Sequence, residues 1–159
     1  VSVSKRSDEG RLARSASRLA AVQALYQMEL VGTSLKTAEL EFETRWIGAE
    51  IEGEQYREAD RDLFRALLRA AVDRQAEIDQ MTDEALVEKW PLGRVDPTLR
   101  ALFRAAGAEL LALDTPPKVA ITEFVDVAKA FFDEGREAKF VNAVLDHLAR
   151  RMKPQAFAR

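Results

Sequence analysis

At 159 residues with no cysteine, the chain is long enough to bury one hydrophobic core and cannot use disulfides or thiolate chemistry. Hydrophobic residues are 47% and charged residues 32%, the balance of a globular chain with a charged surface, and no apolar run approaches the length needed to span a bilayer. The formal net charge of −3 argues against a non-specific coat on nucleic acid. It also conceals an asymmetry. Residues 1–26 carry five bases against two acids, whereas residues 39–60 carry eight acids against two bases. A confined basic site remains possible. The opening residues are polar and lack the apolar stretch of a secretory leader, so the cytoplasm is the expected location.

Residues 1–10 are expected to form a disordered polar tail, and one helical domain is expected over 11–153, followed by a short tail over 154–159. Helical periodicity dominates, with glycine and proline as punctuation. A first helix is predicted from about Arg11 to Val31, with Leu19, Val22, Tyr26 and Leu30 along one face. Gly32-Thr-Ser34 ends it and offers Ser34 as the next N-cap. An acidic second helix should run from about Leu35 to Ala49. After a break around Gly53, a third is predicted over about Gln55–Gln80, burying Phe64, Leu67, Leu68 and Ala71.

A short helix near Thr82–Lys89 and a turn at Trp90-Pro91-Leu-Gly93 follow. Asp96-Pro97 reads as an N-cap with proline at the first helical position. The fifth helix then carries Leu99, Leu102, Phe103, Ala106, Leu110 and Leu113. Pro116-Pro117 restarts the chain into a sixth helix that buries Ile121, Phe124, Val125, Ala128 and Phe131. Asp133–Glu137 is predicted as a loop before a last helix with Val141, Val144, Leu145 and Leu148 inward. The expected fold class is all-α, a compact bundle of about seven helices.

Enzyme chemistry finds little support. His147 is the single histidine, so no Ser/His/Asp set is convincing, and the seven scattered glycines form no phosphate-cradling loop. The alternating acids Glu39, Glu41, Glu43, Glu50, Glu52 and Glu54 lack calcium-loop spacing and read as a solvated face. No cofactor or metal is expected.

Two basic rows stand out. Arg11, Arg14 and Arg18 are three and four residues apart, and so fall on one face at the helix start. Guanidinium groups fork onto phosphate oxygens and stack on splayed bases, chemistry suited to single-stranded RNA, although such a row can equally be solubilising. Arg57, Arg61, Arg65 and Arg69 form a longer row. Glu58 and Asp62 precede two of its members by three residues, which reads as a solvent-facing ion-pair lattice. Lys139-Phe140 opens the last helix. Phe140 lies at the edge of the buried stripe, so it can complete the core or offer a stacking platform beside a phosphate contact. Tyr26 is equally ambiguous: its ring packs, and its hydroxyl wants a polar partner.

Three segments together resemble the NusB family. Arg18-Leu-Ala-Ala-Val-Gln23-Ala-Leu-Tyr26 is similar to the family's opening helix. Pro117-Lys-Val-Ala-Ile-Thr122-Glu-Phe-Val-Asp-Val-Ala-Lys129 and Lys139-Phe-Val-Asn142-Ala-Val-Leu-Asp146 are similar to its two later motifs. Arg94-Val-Asp96, Leu102-Phe-Arg104 and Glu109-Leu110 fit its central helix. The resemblance implies a seven-helix fold of two packed halves and no catalysis. It implies a transcription antitermination factor that binds boxA-type RNA jointly with the ribosomal protein NusE and modifies elongating RNA polymerase, notably in ribosomal RNA transcription. Carried over by position, the implied RNA-binding residues are Arg14, Arg18, Tyr26, Lys139 and Phe140, brought together by the fold. The sequence departs from the richest motifs at Ser15 and Ala16, which follow Arg14 in place of further arginines, and at Thr122 and Ala143. Two other readings stay open: a helical RNA-binding domain serving a methyltransferase on another chain, and a homo-oligomeric scaffold.

Overall fold

A computed structural model describes residues 3–45, 50–51, 54–55, 60–86, 95–132 and 135–158, without side-chain detail at 3–9, 45, 50–51 and 54–55. Seven α-helices lie within these residues: α1 (Val3–Val31), α2 (Leu35–Arg45), α3 (Arg61–Asp73), α4 (Gln75–Leu86), α5 (Pro97–Ala112), α6 (Pro117–Phe131) and α7 (Gly135–Met152). A 3-10 turn follows at Pro154–Phe157. Two-residue strands β1 (Glu50–Ile51) and β2 (Glu54–Gln55) pair antiparallel, with Glu50 opposite Gln55. No such pairing is expected from the sequence. The predicted breaks at Gly53 and at Trp90–Gly93 fall outside the described residues, as do Arg57 and Glu58.

Several boundaries follow from local chemistry. Gly32 takes a φ of 77° just past α1, a left-handed conformation that glycine adopts without a Cβ penalty, and its N–H donates to the Met28 carbonyl at 2.8 Å. Ser34 Oγ then accepts from the Thr37 N–H at 3.2 Å, and Asp96 Oδ1 accepts from the Thr98 N–H at 2.7 Å with Pro97 opening α5.

Several boundaries differ from expectation: α3 begins at Arg61 and not near Gln55, which lies in β2, and Thr82 falls inside α4 and does not open a separate short helix. Helix α1 begins at Val3 rather than near Arg11. Helix α7 begins at Gly135, inside the segment expected to be a loop. The long third helix is two helices, α3 and α4, joined at Arg74 with φ −108° and ψ 18°. No glycine or proline marks that joint. Ile78 follows Ala71 by seven residues, close to two full turns, so the apolar pattern runs through the break unchanged.

Helix α5 is the hub: it packs on α1, α3, α4, α6 and α7. Its burial is nearly all-round, from Leu99, Ala101, Leu102, Phe103 and Ala105 through to Leu110, as a central helix requires. Around it the stripes expected for α3 and α7 are buried as read: Phe64, Leu67, Leu68 and Ala71 in one, Val141, Val144, Leu145 and Leu148 in the other. Helix α6 buries Ala120 and Val127 where Val125 and Phe131 were expected; those two are only partly covered.

The closest approach of α4 to α5 is at Gly107. A Cβ built there would meet Ile78 Cγ2 at 2.5 Å. Gly107→Ala should therefore overpack the joint and cost about 1–3 kcal/mol in urea unfolding. Adding Ile78→Ala should relieve the clash, and the pair should be measured as a double-mutant cycle. Strictly additive losses would contradict the packing described.

Among the described residues of the second arginine row, Arg65 and Arg69 pair with carboxylates of another helix. Arg65 forks onto Glu43 at 2.5 and 2.9 Å, and Arg69 onto Glu39 at 2.9 and 3.4 Å, which ties α3 to α2. The hydrogen bond from Arg65, with the nearby charges of Arg65, Arg61 and Arg69, holds the Glu43 carboxyl below the usual range. Phe42 stacks on Phe64 beneath these pairs, ring centroids 6.2 Å apart. Glu39 and Glu43 of α2 thus have structural partners.

Candidate nucleic-acid interface

The direction of each helix decides which predicted residues can meet. Arg18 reaches Glu109 and Arg100 reaches Glu29, so α1 runs antiparallel to α5. Phe140 meets Phe103 and Lys153 Nζ donates to the Leu113 carbonyl, so α7 runs parallel to α5. Lys139 and Phe140 therefore sit level with the Tyr26 end of α1, not with Arg14. Twelve residues of helix separate Tyr26 from Arg14, an axial rise of about 18 Å. The helix directions place the Arg14 stretch of α1 and the start of α7 toward opposite ends of α5, not side by side as expected.

At the Tyr26 end, Phe140 is partly buried with its ring edge-on to the fully buried Phe103 at 6.0 Å between centroids. The contact braces one side of the ring in the core. Lys139 beside it is exposed. Tyr26 is partly buried and lines a groove of about 590 Å³ together with Gln23, Gln27, Phe42, Thr98 and Phe131. Leu30 and Val31 close α1 along the same groove, exposed at 68% and 67%, so Leu30 is not the core residue expected.

At the other end, Arg11 and Arg14 are exposed. Arg18 is not. Its side chain is 4% accessible, with Nε and Nη2 forked onto Glu109 Oε1 and Oε2 at 2.8 and 2.7 Å. Glu109 is itself fully buried and accepts a further hydrogen bond from Thr115 Oγ1 at 2.7 Å. Arg18 Nη1 lies 3.7 Å from Glu123 Oε2, which takes a hydrogen bond from Ser15 Oγ at 2.8 Å. Burial alone would lower the Arg18 pKa. The hydrogen bond to Glu109 and the charges of Glu109 and Glu123 outweigh it and raise the value above the ordinary one. A guanidinium held this way presents no free donor fork to a surface ligand, which corrects its reading as a direct RNA contact.

Sequence reasoning missed the partners of Arg18, although a signal was present. Arg18, Val22 and Leu25 share one face by four and three residues, and Val22 and Leu25 are core residues. Glu109 interrupts an apolar helix. A cation and an anion, each on a buried stripe, point to each other. Among the described residues, no group of three or more His, Cys, Asp or Glu side chains could hold a metal ion, and His147 is exposed.

This all-helical arrangement matches known proteins closely. The NusB family profile covers residues 15–150. The chain belongs to the NusB family. It is 47% identical over 147 residues to the transcription antitermination protein NusB of Rhodopseudomonas palustris strain BisB18, spanning 92% of this chain and 86% of that one. With the Brucella anthropi NusB it shares 50% identity over 137 residues, 86% of this chain and 81% of that one. The Thermotoga maritima NusB structure superposes with a TM-score of 0.71 at 28% identity, covering 91% of this chain and 96% of that one. A crystal structure of antitermination factors NusB and NusE in complex with double-stranded RNA matches with a TM-score of 0.70 at 24% identity, covering 87% and 97%. As a NusB-family member the chain is a transcription antitermination factor. No described helix is long and apolar enough to cross a membrane.

Proposed function

We propose that the chain binds a boxA-type single-stranded RNA jointly with NusE, in the cytoplasm, and so holds that RNA on elongating RNA polymerase during ribosomal RNA transcription. The observation that carries the reading is the braced aromatic beside a free cation: Phe140 fixed edge-on by Phe103, with Lys139 exposed next to it. A ring held by the core is a stacking surface that loses little freedom when a base lands on it, and the adjacent ammonium suits the phosphate that follows. Tyr26 offers a second ring at the same end, and Arg14 a phosphate contact at the other. The same fold appears with NusE and a double-stranded RNA in the solved complex described above, which supports NusE and RNA as the partners here.

The net negative charge makes electrostatic attraction local, so the RNA should be held by few phosphate contacts and by stacking. Linking RNA to NusE raises the effective concentration of each for the other. Phe140→Ala should weaken binding of a labelled boxA-type oligonucleotide by about 1–3 kcal/mol, roughly 5- to 150-fold, measured by fluorescence anisotropy with NusE present. Thermal unfolding should change far less than for a fully buried phenylalanine. Unchanged affinity in a folded Phe140→Ala variant would remove the stacking platform from the account.

A further inference from the structure

We infer that Arg18 is a positioning residue, which holds the middle turns of α1 so that Arg14 is presented to RNA, and is not itself an RNA contact; the inference rests on the RNA-binding reading above. Four residues around Arg14 are tied down on different sides. The Ala13 carbonyl accepts from the Asp60 N–H at 3.2 Å, and Ser17 Oγ donates to the Asp60 carbonyl at 2.5 Å. Asp60 is the N-cap of α3, its Oδ1 accepting from the Leu63 N–H at 3.0 Å. Ser15 donates to Glu123 of α6, and Arg18 forks onto Glu109 of α5.

Helix α1 is thus fixed to three other helices within six residues, and Arg14 is the exposed side chain inside that span. Without these ties this stretch of α1 would be held less firmly against the bundle. With them, a phosphate contact at Arg14 costs less ordering. Ser17 and Arg18 are both buried, so neither can be exchanged for a surface group without disturbing the clamp.

Direct contact and positioning give different couplings to Arg14. Each phosphate contact to a single strand contributes about 0.7 to the slope of log K against log salt. The double variant Arg18→Met/Glu109→Leu replaces the buried ion pair with apolar side chains of similar size, a change such sites often tolerate. It should fold and bind boxA-type RNA several-fold more weakly, because Arg14 loses its support, and in that background Arg14→Ala should weaken binding little further. Arg14→Ala should lower the slope by about 0.7. A double variant that folds and binds RNA as tightly as the unaltered chain, or whose loss simply adds to that of Arg14→Ala, overturns the inference.

The unaltered chain supplies a second readout that does not depend on the variant folding. In a ¹H–¹⁵Nε correlation spectrum, the Arg18 Nε–H should exchange slowly and stay in place when RNA is added, while that of Arg14 shifts. Movement of the Arg18 signal as large as that of Arg14 would contradict the positioning role. Absence of RNA binding by the unaltered chain, by contrast, would overturn the function on which the inference rests.

Discussion

Glu109→Leu alone should lower the unfolding free energy by about 3–5 kcal/mol in urea denaturation. The carboxylate lies in the centre of the molecule with no accessible surface and receives both nitrogens of the Arg18 fork and the Thr115 hydroxyl. Removing it leaves a guanidinium enclosed by α1, α5 and α6, with Glu123 at 3.7 Å as its remaining anionic neighbour. An enclosed cation without its partner is far costlier than a missing surface pair. Restoring balance by adding Arg18→Met should recover most of the loss, because both ends of the pair are then apolar. The sign of that coupling is the diagnostic. If the two single losses simply add, Arg18 and Glu109 do not interact as described.

Phe103→Ala should be nearly as severe, about 3–5 kcal/mol, since the ring is only 1% exposed and a cavity would open in the hub helix. It should also reach the proposed RNA site. Phe140 loses the edge contact at 6.0 Å that orients it, so RNA affinity should fall in a variant that has no direct RNA contact of its own. Phe103→Leu, which keeps most of the volume, should recover much of the stability while leaving the orientation of Phe140 looser. The checks are urea unfolding and anisotropy on the same samples. A Phe103→Ala chain that is destabilised yet binds RNA as tightly as the unaltered one would show that Phe140 does not need bracing.

The architecture was largely legible because the signals were local. Asp96-Pro97, Pro116-Pro117, Gly32 and Ser34 mark helix ends through chemistry contained within a few residues, and the apolar stripes of α3 and α7 follow from period alone. The joint at Arg74 was invisible because neither a breaker residue nor a phase shift marks it. Helix α1 shows the limit most clearly. Choosing Leu19, Val22, Tyr26 and Leu30 as its buried face put Arg18 outside, whereas the core takes Ala21, Val22, Ala24 and Leu25 and draws Arg18 in with them. A rotation of about a third of a turn in the assigned face changes an arginine from a surface ligand group into a buried clamp.

The candidate site depended on tertiary direction in the same way. That Lys139 and Phe140 lie level with Tyr26, and not with Arg14, follows from α1 and α7 running in opposite senses along α5, which no single-segment pattern encodes. In the longer arginine row Arg65 and Arg69 are ion-paired, and their hydrogen-bonded anions are Glu43 and Glu39 of α2.

The most direct test of the central claim is a backbone ¹H–¹⁵N map of the labelled chain while a boxA-type RNA and NusE are titrated in, with NusE alone as the reference. The account predicts that RNA-dependent shifts centre on Lys139, Phe140 and Tyr26, with a second group around Arg14, and leave Arg65 and Arg69 unmoved. Shifts centred on the Arg65–Arg69 row, or none beyond those caused by NusE, would contradict it.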